Sequence, residues 1–523
     1  MKIALAQLNY TIGDFEENKI KIINSIEQAR RQGVRLLVFA EQAIGGVPAF
    51  DLLNKVTFLD MCEETLVEIA SHCDDIAVML GLPVQDSSGN KTVSVAAFIE
   101  DRVIREYIGK KEVVRREEMC YLSPSRGCAT VEIDDKRVLV AVDDDLLDLE
   151  IGGGVDLVVN LAASVYSRGI IEKRYDHLRK TAFTCGKPVV FINQIGGQTD
   201  IVYDGSSAVF NHRGEALALL KSFEEDFVVV DLDRAAPVEV PAQNKTVNVY
   251  RAMKLGLKDF FVKNGFKRAC IGMSGGIDSA VVLAVAVETL GAENIKVLMM
   301  PSQFSSDHSV DDAVRMAENL RIEHNVVPIS EIYRTVVDTM KPVIGGTEFD
   351  LTEENIQARI RCTLMMALSN KYGYVMLNTS NKSECAVGYG TLYGDATGAF
   401  SIMGDLYKIE VYDIARYINR DQEIIPENII LKEPSAELRP QQKDSDSLPP
   451  YDVLDAILYR MIEEGQHREE IINAGFDARI VYKIYSMVRN NEHKRFQFCP
   501  TLKLSTKAFR RDRVMPLTSK YGF

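Results

Sequence analysis

The sequence predicts an α/β protein built from two successive domains. Short apolar runs alternate with helical patterns on both sides of a polar, proline-bearing stretch, and strands separated by helices are typical of this class. A chain of 523 residues is also too long for a single hydrophobic core. We therefore expect one domain at residues 1–235, a linker at 236–250 and a second domain at 251–523.

The first domain is predicted from a series of short β-rich runs. Asn18–Arg31 has apolar residues at helical spacing, which predicts a helix between the first two strands. Strands are expected at Ile3–Gln7, Leu36–Phe39, Ile76–Leu80, Val93–Ile99, Val138–Val142, Leu157–Asn160, Val189–Asn193 and Asp226–Asp231. Sheets covered by helices follow from this alternation.

The second domain shows the rhythm of a doubly wound parallel sheet. Its helices are expected near Val249–Asn264 and from Ser279 to Leu290. Its strands are expected at Arg268–Met273, Lys296–Met300 and His324–Pro328. The polar, proline-bearing segment Glu433–Pro450 is predicted to be a long functional or mobile loop.

Composition limits the class of partner. The net charge of −14 argues against a nucleic-acid partner, because such proteins usually present a basic surface. No run of about 20 apolar residues is present, so no membrane span is expected. The N-terminus lacks a charged leader followed by an apolar core, which excludes a signal peptide and predicts a cytoplasmic protein.

The cysteines predict neither a metal site nor disulfides. No two of them have C-x-x-C spacing, and their number, nine, is odd. Free thiols in a reducing compartment are the expected state. They are Cys62, Cys73, Cys120, Cys128, Cys185, Cys270, Cys362, Cys385 and Cys499.

The segment Arg268–Ser279 has the features of a phosphate-binding loop. A strand ends in a glycine-rich turn, and a helix begins at once, so backbone N–H groups and the helix N-terminus can bind an anion. The carboxylate of Asp278 beside phosphates suggests a bridging Mg²⁺. The loop is not a Walker A motif. The predicted ATP-binding residues are Gly272, Met273, Ser274, Gly275, Gly276, Ile277, Asp278 and Ser279.

This loop resembles that of the N-type ATP pyrophosphatases, a superfamily that includes GMP synthetase, asparagine synthetase, tRNA-thiolating enzymes and NAD synthetase. Further segments are similar to the NAD synthetases in particular. The resemblance extends over nearly all of residues 250–523, and the segments that carry it are Met300–Ser306, Leu351–Arg361, Asn378–Asp395, Pro434–Asp452 and Lys494–Asp512. The first alternative is an amidotransferase of another substrate class within the same superfamily.

The resemblance implies an activity and a set of site residues. The activity is ATP-dependent conversion of nicotinic acid adenine dinucleotide (deamido-NAD⁺) to NAD⁺ through an acyl-adenylate, with Mg²⁺ as cofactor and a homodimer or larger oligomer as assembly. Thr379 would contact ATP, and Asp278 and Glu384 would hold the metal. The implied deamido-NAD⁺ contacts are Asn355, Glu384, Asp395, Lys408 and Lys494.

Residues 1–235 resemble the nitrilase-like glutaminase domain of two-domain NAD synthetases, which implies an α-β-β-α sandwich with a Glu–Lys–Cys triad. By this resemblance Glu41 is the general base, and Lys110 or Lys111 is the lysine that stabilises the oxyanion. Further segments that fit are Val189–Gln198 and Asp204–Ser206.

The position of the nucleophile departs from that pattern, because Asp143 stands where the family has its cysteine. Lys111–Arg116 and Gly169–Ile170 also differ from the segments expected there. We therefore expect an inactive glutaminase domain, a structural ion network of Glu41, lysine and Asp143, and free ammonia as nitrogen source. The alternative is a fully glutamine-dependent enzyme that uses another thiol, Cys120 or Cys128.

Overall fold

The computed structural model describes residues 1–86, 88–89, 91–115, 118–146, 151–345 and 348–519. The chain divides into two compact units, Met1–Gln243 and Asn244–Phe523. The first helix of the second unit begins at Lys245, inside the stretch predicted as linker, because the Asn244 side chain caps it by accepting from the backbone N–H of Val247.

The first unit contains two layers of strands and three long helices. Its helices are α1 (Phe15–Arg31), α2 (Val56–Ala70) and α3 (Ile170–Cys185). Its strands are β1 (Lys2–Gln7), β2 (Leu36–Val38), β3 (Ala77–Gln85), β4 (Thr92–Glu100), β5 (Val103–Gly109), β6 (Ala129–Ile133), β7 (Lys136–Val142), β8 (Leu157–Ala162), β9 (Val189–Asn193), β10 (Ile195–Gln198), β11 (Ile201–Asp204), β12 (Ala208–Phe210), β13 (Ala216–Leu219) and β14 (Asp226–Asp231).

Two six-stranded sheets, ordered β14-β1-β2-β3-β4-β5 and β13-β12-β9-β8-β7-β6, form the centre of this unit. Along β1, Ile3 and Leu5 join the core between the sheets, whereas Ala4 and Ala6 join the core under α1 and α2. This alternation follows from the two-residue period of a strand. Helix α3 packs on β9 and β12 of the second sheet. The predicted α-β-β-α sandwich is confirmed.

Several strands of this unit extend or add to the sequence prediction. Strand β3 continues past the predicted Leu80 to Gln85 and pairs with β4 even at Pro83, opposite Ser94. The solvated strand β5 has mostly exposed residues from Val103 to Tyr107, so it lacks the apolar pattern that predicts a strand. Edge strands of this kind are specified by pairing with a neighbour rather than by their own composition.

The second unit is helix-rich around a small sheet. Its strands are β15 (Ala269–Gly272), β16 (Ile295–Met299), β17 (His324–Val326) and β18 (Val375–Met376). Its helices are α4 (Lys245–Lys263), α5 (Ile277–Leu290), α6 (Asp307–Asn319), α7 (Ser330–Ile344), α8 (Leu351–Tyr372), α9 (Lys382–Val387), α10 (Lys408–Ile418), α11 (Glu427–Leu431), α12 (Tyr451–Ile462), α13 (Arg468–Asn473), α14 (Ala478–Asn490) and α15 (Glu492–Arg495).

The sheet of the second unit is parallel throughout, in the order β17-β16-β15-β18. The strand order reverses at β15, and open parallel sheets bind ligands outside the carboxyl ends of their strands at such a reversal. The doubly wound prediction is confirmed, and it places the phosphate loop after β15 at this point. In the described part of the chain, no helix is long and apolar enough to cross a membrane.

Candidate functional site

A cavity of about 300 Å³ lies at the carboxyl ends of β15 and β18 in the second unit. Its walls come from the phosphate loop, from α6, α8 and α9, and from the loop that follows α11. The predicted residues that line it are Gly272, Met273, Ser274, Gly276, Ile277, Asp278, Ser279, Thr379, Glu384, Asp395 and Lys408. Most of the predicted nucleotide site is therefore assembled around one space.

The phosphate loop depends on close backbone packing. Gly275 has a φ of +78°, and a Cβ there would lie 2.2 Å from the backbone oxygen of Ser309. Only glycine fits this left-handed, crowded position. The hydroxyl oxygen of Ser274 accepts from the N–H of Gly276 at 3.2 Å and lies 3.2 Å from the hydroxyl oxygen of Ser279. The loop thus presents hydroxyl groups and the N-terminus of α5 to the cavity, as an anion site requires.

Two of the carboxylates that line this cavity share one ammonium group. Lys408 forms an ion pair with Asp278, and its Nζ lies 3.6 Å from an oxygen of Glu384. The side-chain amide of Asn381 donates to Asp278 at 3.0 Å. Burial and the nearby Asp278 raise the pKa of Glu384 to about 8. Such oxygen donors suit Mg²⁺ once phosphate oxygens complete its coordination.

The remaining predicted dinucleotide contacts meet around the segment Gly388–Asp395. The Thr391 hydroxyl donates to Asn355 at 2.8 Å, and the Thr391 N–H donates to Asp395 at 2.6 Å. Lys494 donates to two backbone carbonyls of this segment, at 2.8 and 2.9 Å. Burial lowers the pKa of Lys494 and raises that of Asp395. Asn355 and Lys494, like Gly275, lie outside the lining of the cavity.

A second cluster of charges lies inside the first unit, where the ends of three strands converge. Glu41 follows β2, Lys110 follows β5, and Asp143 follows β7. Arg115 and Glu118 join them from the segment after Lys110. We call these five residues the buried ion network, since four of the side chains are at most 4% exposed and Arg115 is 16% exposed.

The two cations of the buried ion network each contact all three carboxylates. Lys110 lies 3.3 Å from Glu41, 2.9 Å from Glu118 and 2.7 Å from Asp143. Arg115 lies 3.1 Å from Glu41 and 2.9 Å from Glu118, and it forms an ion pair with Asp143. Arg115 also donates to the backbone oxygen of Ala163 at 2.7 Å. The Asp143 carboxylate is therefore held on several sides.

These contacts separate the pKa values of the two acids that the sequence places in the triad. Burial raises the pKa of Glu41 to about 7, and the charges of Asp143 and Glu118 add to this effect against that of Lys110. Burial acts in the same direction on Asp143, but Arg115 and Lys110 outweigh it and hold the pKa of Asp143 well below its ordinary value. Asp143 is the ionised acid of the pair, and Glu41 takes up a proton first.

The backbone also fixes Asp143. Its φ of 53° is in the left-handed region, which is uncommon for a residue other than glycine and persists where surrounding contacts determine it. The side-chain amide of Asn160 donates to its backbone oxygen at 2.9 Å. Asp143 thus occupies a sharply turned position at the end of β7, with its carboxylate directed at Lys110 and Arg115.

The structure places only one of the two candidate lysines beside Glu41 and Asp143 in the described part of the chain. Lys110 contacts Glu41 and Asp143, whereas the side chain of Lys111 is exposed and only its backbone N–H contributes, to Asp145 at 2.7 Å. Among the described residues, no thiol donates to or accepts from Glu41 or Lys110.

Among the described hydrogen bonds and ion pairs, neither alternative thiol is a partner of the buried ion network. Cys120 is exposed, and burial followed by the charge of Asp145 raises the pKa of Cys128 to about 11. A thiol with a raised pKa carries little of the thiolate that attacks amides.

Two members of the buried ion network were missed by sequence reasoning. Arg115 and Glu118 belong to no motif, although Arg115 lies in the segment that departs from the family pattern. A signal was nevertheless present, because an aspartate in place of a neutral thiol adds a negative charge beside Glu41. A buried charge needs a partner, so a compensating cation could have been sought near Lys110.

Comparison with known proteins agrees with the division of the chain into the units Met1–Gln243 and Asn244–Phe523. The carbon-nitrogen hydrolase family model matches residues 2–241, and the NAD synthase family model matches residues 249–497. The glutamine-dependent NAD(+) synthetases of Thermotoga maritima and Synechocystis are each 38% identical to this chain and cover 99% or more of both sequences. The chain belongs to the NAD synthetase family.

A solved structure of an NAD synthetase extends the comparison to three dimensions. The glutamine-dependent NAD⁺ synthetase of Acinetobacter baumannii, in complex with ADP, is 34% identical, with a TM-score of 0.79. The match covers 99% of this chain and 98% of that chain. As an NAD synthetase of the two-domain type, this chain is a carbon-nitrogen ligase with ATP as co-substrate.

Replacing Lys110 tests the energetic role of the buried ion network in this NAD synthetase. Lys110→Met leaves three buried carboxylates with one cation, so we expect the free energy of unfolding of the first unit to fall by about 3–5 kcal/mol. Lys111→Met, at the exposed neighbour, is the matched control and should change it by about 0.5 kcal/mol or less. Urea denaturation of the full chain, monitored by circular dichroism, measures the unfolding free energy of both variants. Equal losses of unfolding free energy in the two variants would contradict the role assigned to Lys110.

Glu41 predicts how stability depends on pH. Its pKa is raised in the folded state, from 4.5 to about 7, so its contribution to stability is present below pH 4.5 and is lost as the pH rises through 7. Between these limits, the unfolding free energy of the parent should fall by about 3 kcal/mol relative to Glu41→Gln. Denaturation at pH 5 and 7.5 measures this. Glu106→Gln, a change on the exposed strand β5, should show the same pH dependence of the unfolding free energy as the parent. If Glu41→Gln also shows the pH dependence of the parent, the prediction is refuted.

Proposed function

We propose that this chain converts deamido-NAD⁺ to NAD⁺ with ammonia as nitrogen source. The nicotinate carboxylate attacks the α-phosphorus of ATP, which forms an acyl-adenylate and releases pyrophosphate. Ammonia then attacks the activated carbonyl carbon and AMP leaves. Family membership supports the amidation, and the cavity at the ends of β15 and β18 supplies a site for the nucleotide. Alignment and charge neutralisation are the main contributions of a protein to such a transfer.

Different residues that line the cavity would bind the phosphates, neutralise their charge and hold the metal ion. Ser274, Ser279 and the N-terminus of α5 would bind the phosphates that leave as pyrophosphate. Lys408 pairs with Asp278 and would turn its ammonium group toward phosphate oxygens when ATP binds. Asp278 and Glu384 would hold Mg²⁺, which supplies neutralisation of phosphate charge when bound.

The segment Gly388–Asp395 is the part of the site that we assign to deamido-NAD⁺. Asn355 and Lys494 contact this segment and Asp395 is part of it, so a dinucleotide bound against the segment would lie near their polar groups. Thr379 lines the cavity to which we assign ATP. The predicted contacts are thus near enough to act on one substrate.

One observation carries the choice of ammonia over glutamine. The residue that resemblance places at the nucleophile is Asp143, an ionised carboxylate paired with both Lys110 and Arg115. A carboxylate neutralised in this way cannot repeat the attack of a thiolate on an amide carbonyl. The curated relatives named above are glutamine-dependent. We infer that this chain keeps the fold of their first domain without its amide-hydrolysing activity.

The nitrogen source is tested by measuring NAD⁺ formation from deamido-NAD⁺ and Mg-ATP. We expect product with ammonium chloride and, with glutamine, no more product than without added nitrogen. Release of glutamate from glutamine, measured in parallel, should stay at the level of a blank without protein. Glutamine-supported synthesis at a rate comparable to that with ammonium would overturn this part of the proposal.

Asp278 tests the assignment of the nucleotide site. Asp278→Asn removes the carboxylate that pairs with Lys408, and we expect ammonium-dependent kcat/KM to fall by about 100-fold or more. Asp413→Asn makes the same change on the exposed side of α10 and should retain the parent value. Equal activities of the two variants would show that Asp278 has no part in the site.

A further inference from the structure

We propose that Arg115 excludes amide substrates from the buried ion network, so that the first unit has lost access to its site as well as a nucleophile. This inference rests on the proposed function, because it concerns why glutamine is not used. Arg115 would be the residue that an amide entering from solvent meets first. The exposure, contacts and charge of its side chain lead to this conclusion.

The exposed fractions of the side chains indicate from which side a ligand would approach the buried ion network. The side chains of Glu41 and Lys110 are 0% exposed and that of Asp143 is 3% exposed. Arg115 is 16% exposed, although its guanidinium contacts both Glu41 and Asp143. Among the described members of the network, Arg115 is thus the most exposed, and a ligand that approaches Glu41 and Asp143 from its side meets the guanidinium first.

The contacts of Arg115 hold it in that place. Its guanidinium binds three carboxylates and the backbone oxygen of Ala163, which follows β8. The planar fork of arginine suits several acceptors at once. Moving it outward would leave Glu41, Glu118 and Asp143 around Lys110 alone, and burying uncompensated charges is costly. The side chain is thus a fixed part of the network.

The charges of Asp143 and Arg115 offset each other within the buried ion network. The buried ion network contains three carboxylates and two cations, a formal charge of −1 when all are ionised. The combination Asp143→Cys with Arg115→Ala removes one charge of each sign and keeps the same sum. Asp143→Cys alone raises the sum to zero and leaves Arg115 between the new thiol and solvent. The two variants therefore differ both in access and in charge, and these two differences act on the reaction rate of a thiol at position 143 in opposite directions.

Alkylation with iodoacetamide measures access, because this reagent carries a carboxamide and reports on a thiol directly. The thiolate sulfur bonds to the methylene carbon as the carbon–iodine bond breaks, iodide leaves, and the thiol proton passes to solvent. Mass spectrometry of the peptide that contains position 143 gives the rate at that site alone. Asp143→Cys is compared with Asp143→Cys/Arg115→Ala, and Asp143→Cys/Arg126→Ala is the matched control at an exposed arginine.

We expect the double variant with Arg115→Ala to be alkylated at position 143 about tenfold faster or more, and the Arg126→Ala control to match Asp143→Cys. Removing a neighbouring cation raises the pKa of a thiol and slows its reaction. A faster reaction therefore reports access rather than reactivity. Equal rates in Asp143→Cys and the Arg115 double variant, whether fast or slow, would overturn the proposal.

Two native thiols serve as reporters of folding in the same experiment. Cys62 and Cys73 are fully buried in the first unit, and both should stay unreactive in every variant. If they react in the Arg115→Ala variant, the same comparison is made with Arg115→Gln, which retains a donor for the Ala163 carbonyl. Glutamine-dependent NAD⁺ formation by the parent would overturn the proposed function, whereas equal alkylation rates overturn the role of Arg115 alone.

Discussion

Three carboxylates can be buried together in the first unit only because Lys110 and Arg115 are buried with them. Charges taken out of water are stable when they are paired and hydrogen-bonded, and each cation here meets all three acids. The shared pairing determines which acid is ionised. Asp143 keeps its charge, while the pKa of Glu41 approaches neutrality.

This pairing also links the two sheets of the sandwich. Glu41 and Lys110 follow strands of one sheet, and Asp143 follows β7 of the other. The left-handed backbone of Asp143 is stabilised by the carboxylate contacts and by the donor of Asn160. A position that demands a strained backbone is usually retained for function. Here it is occupied by an aspartate that pairs with Lys110 and Arg115.

The second unit uses the same kinds of residue in an open setting. Asp278 and Glu384 share Lys408, but both carboxylates are 18% exposed and face a cavity. In the proposed function, phosphates and a metal ion would reach these carboxylates from the cavity, whereas Glu41, Glu118 and Asp143 are at most 4% exposed. The two clusters contain nearly the same residue types and differ in their exposure to solvent and in the cations that pair with their carboxylates.

The sequence by itself determined the α/β class, both domain types and the phosphate loop, because strand periodicity and the Ser274–Ser279 turn are local properties. It also placed Asp143 at the position of the expected nucleophile. Only the tertiary structure chose Lys110 over Lys111 and brought in Arg115 and Glu118. Those assignments depend on which side chains meet at the ends of strands distant in the chain. The charge balance of the network depends on which of these side chains lie close together in space, and a local sequence pattern does not show this.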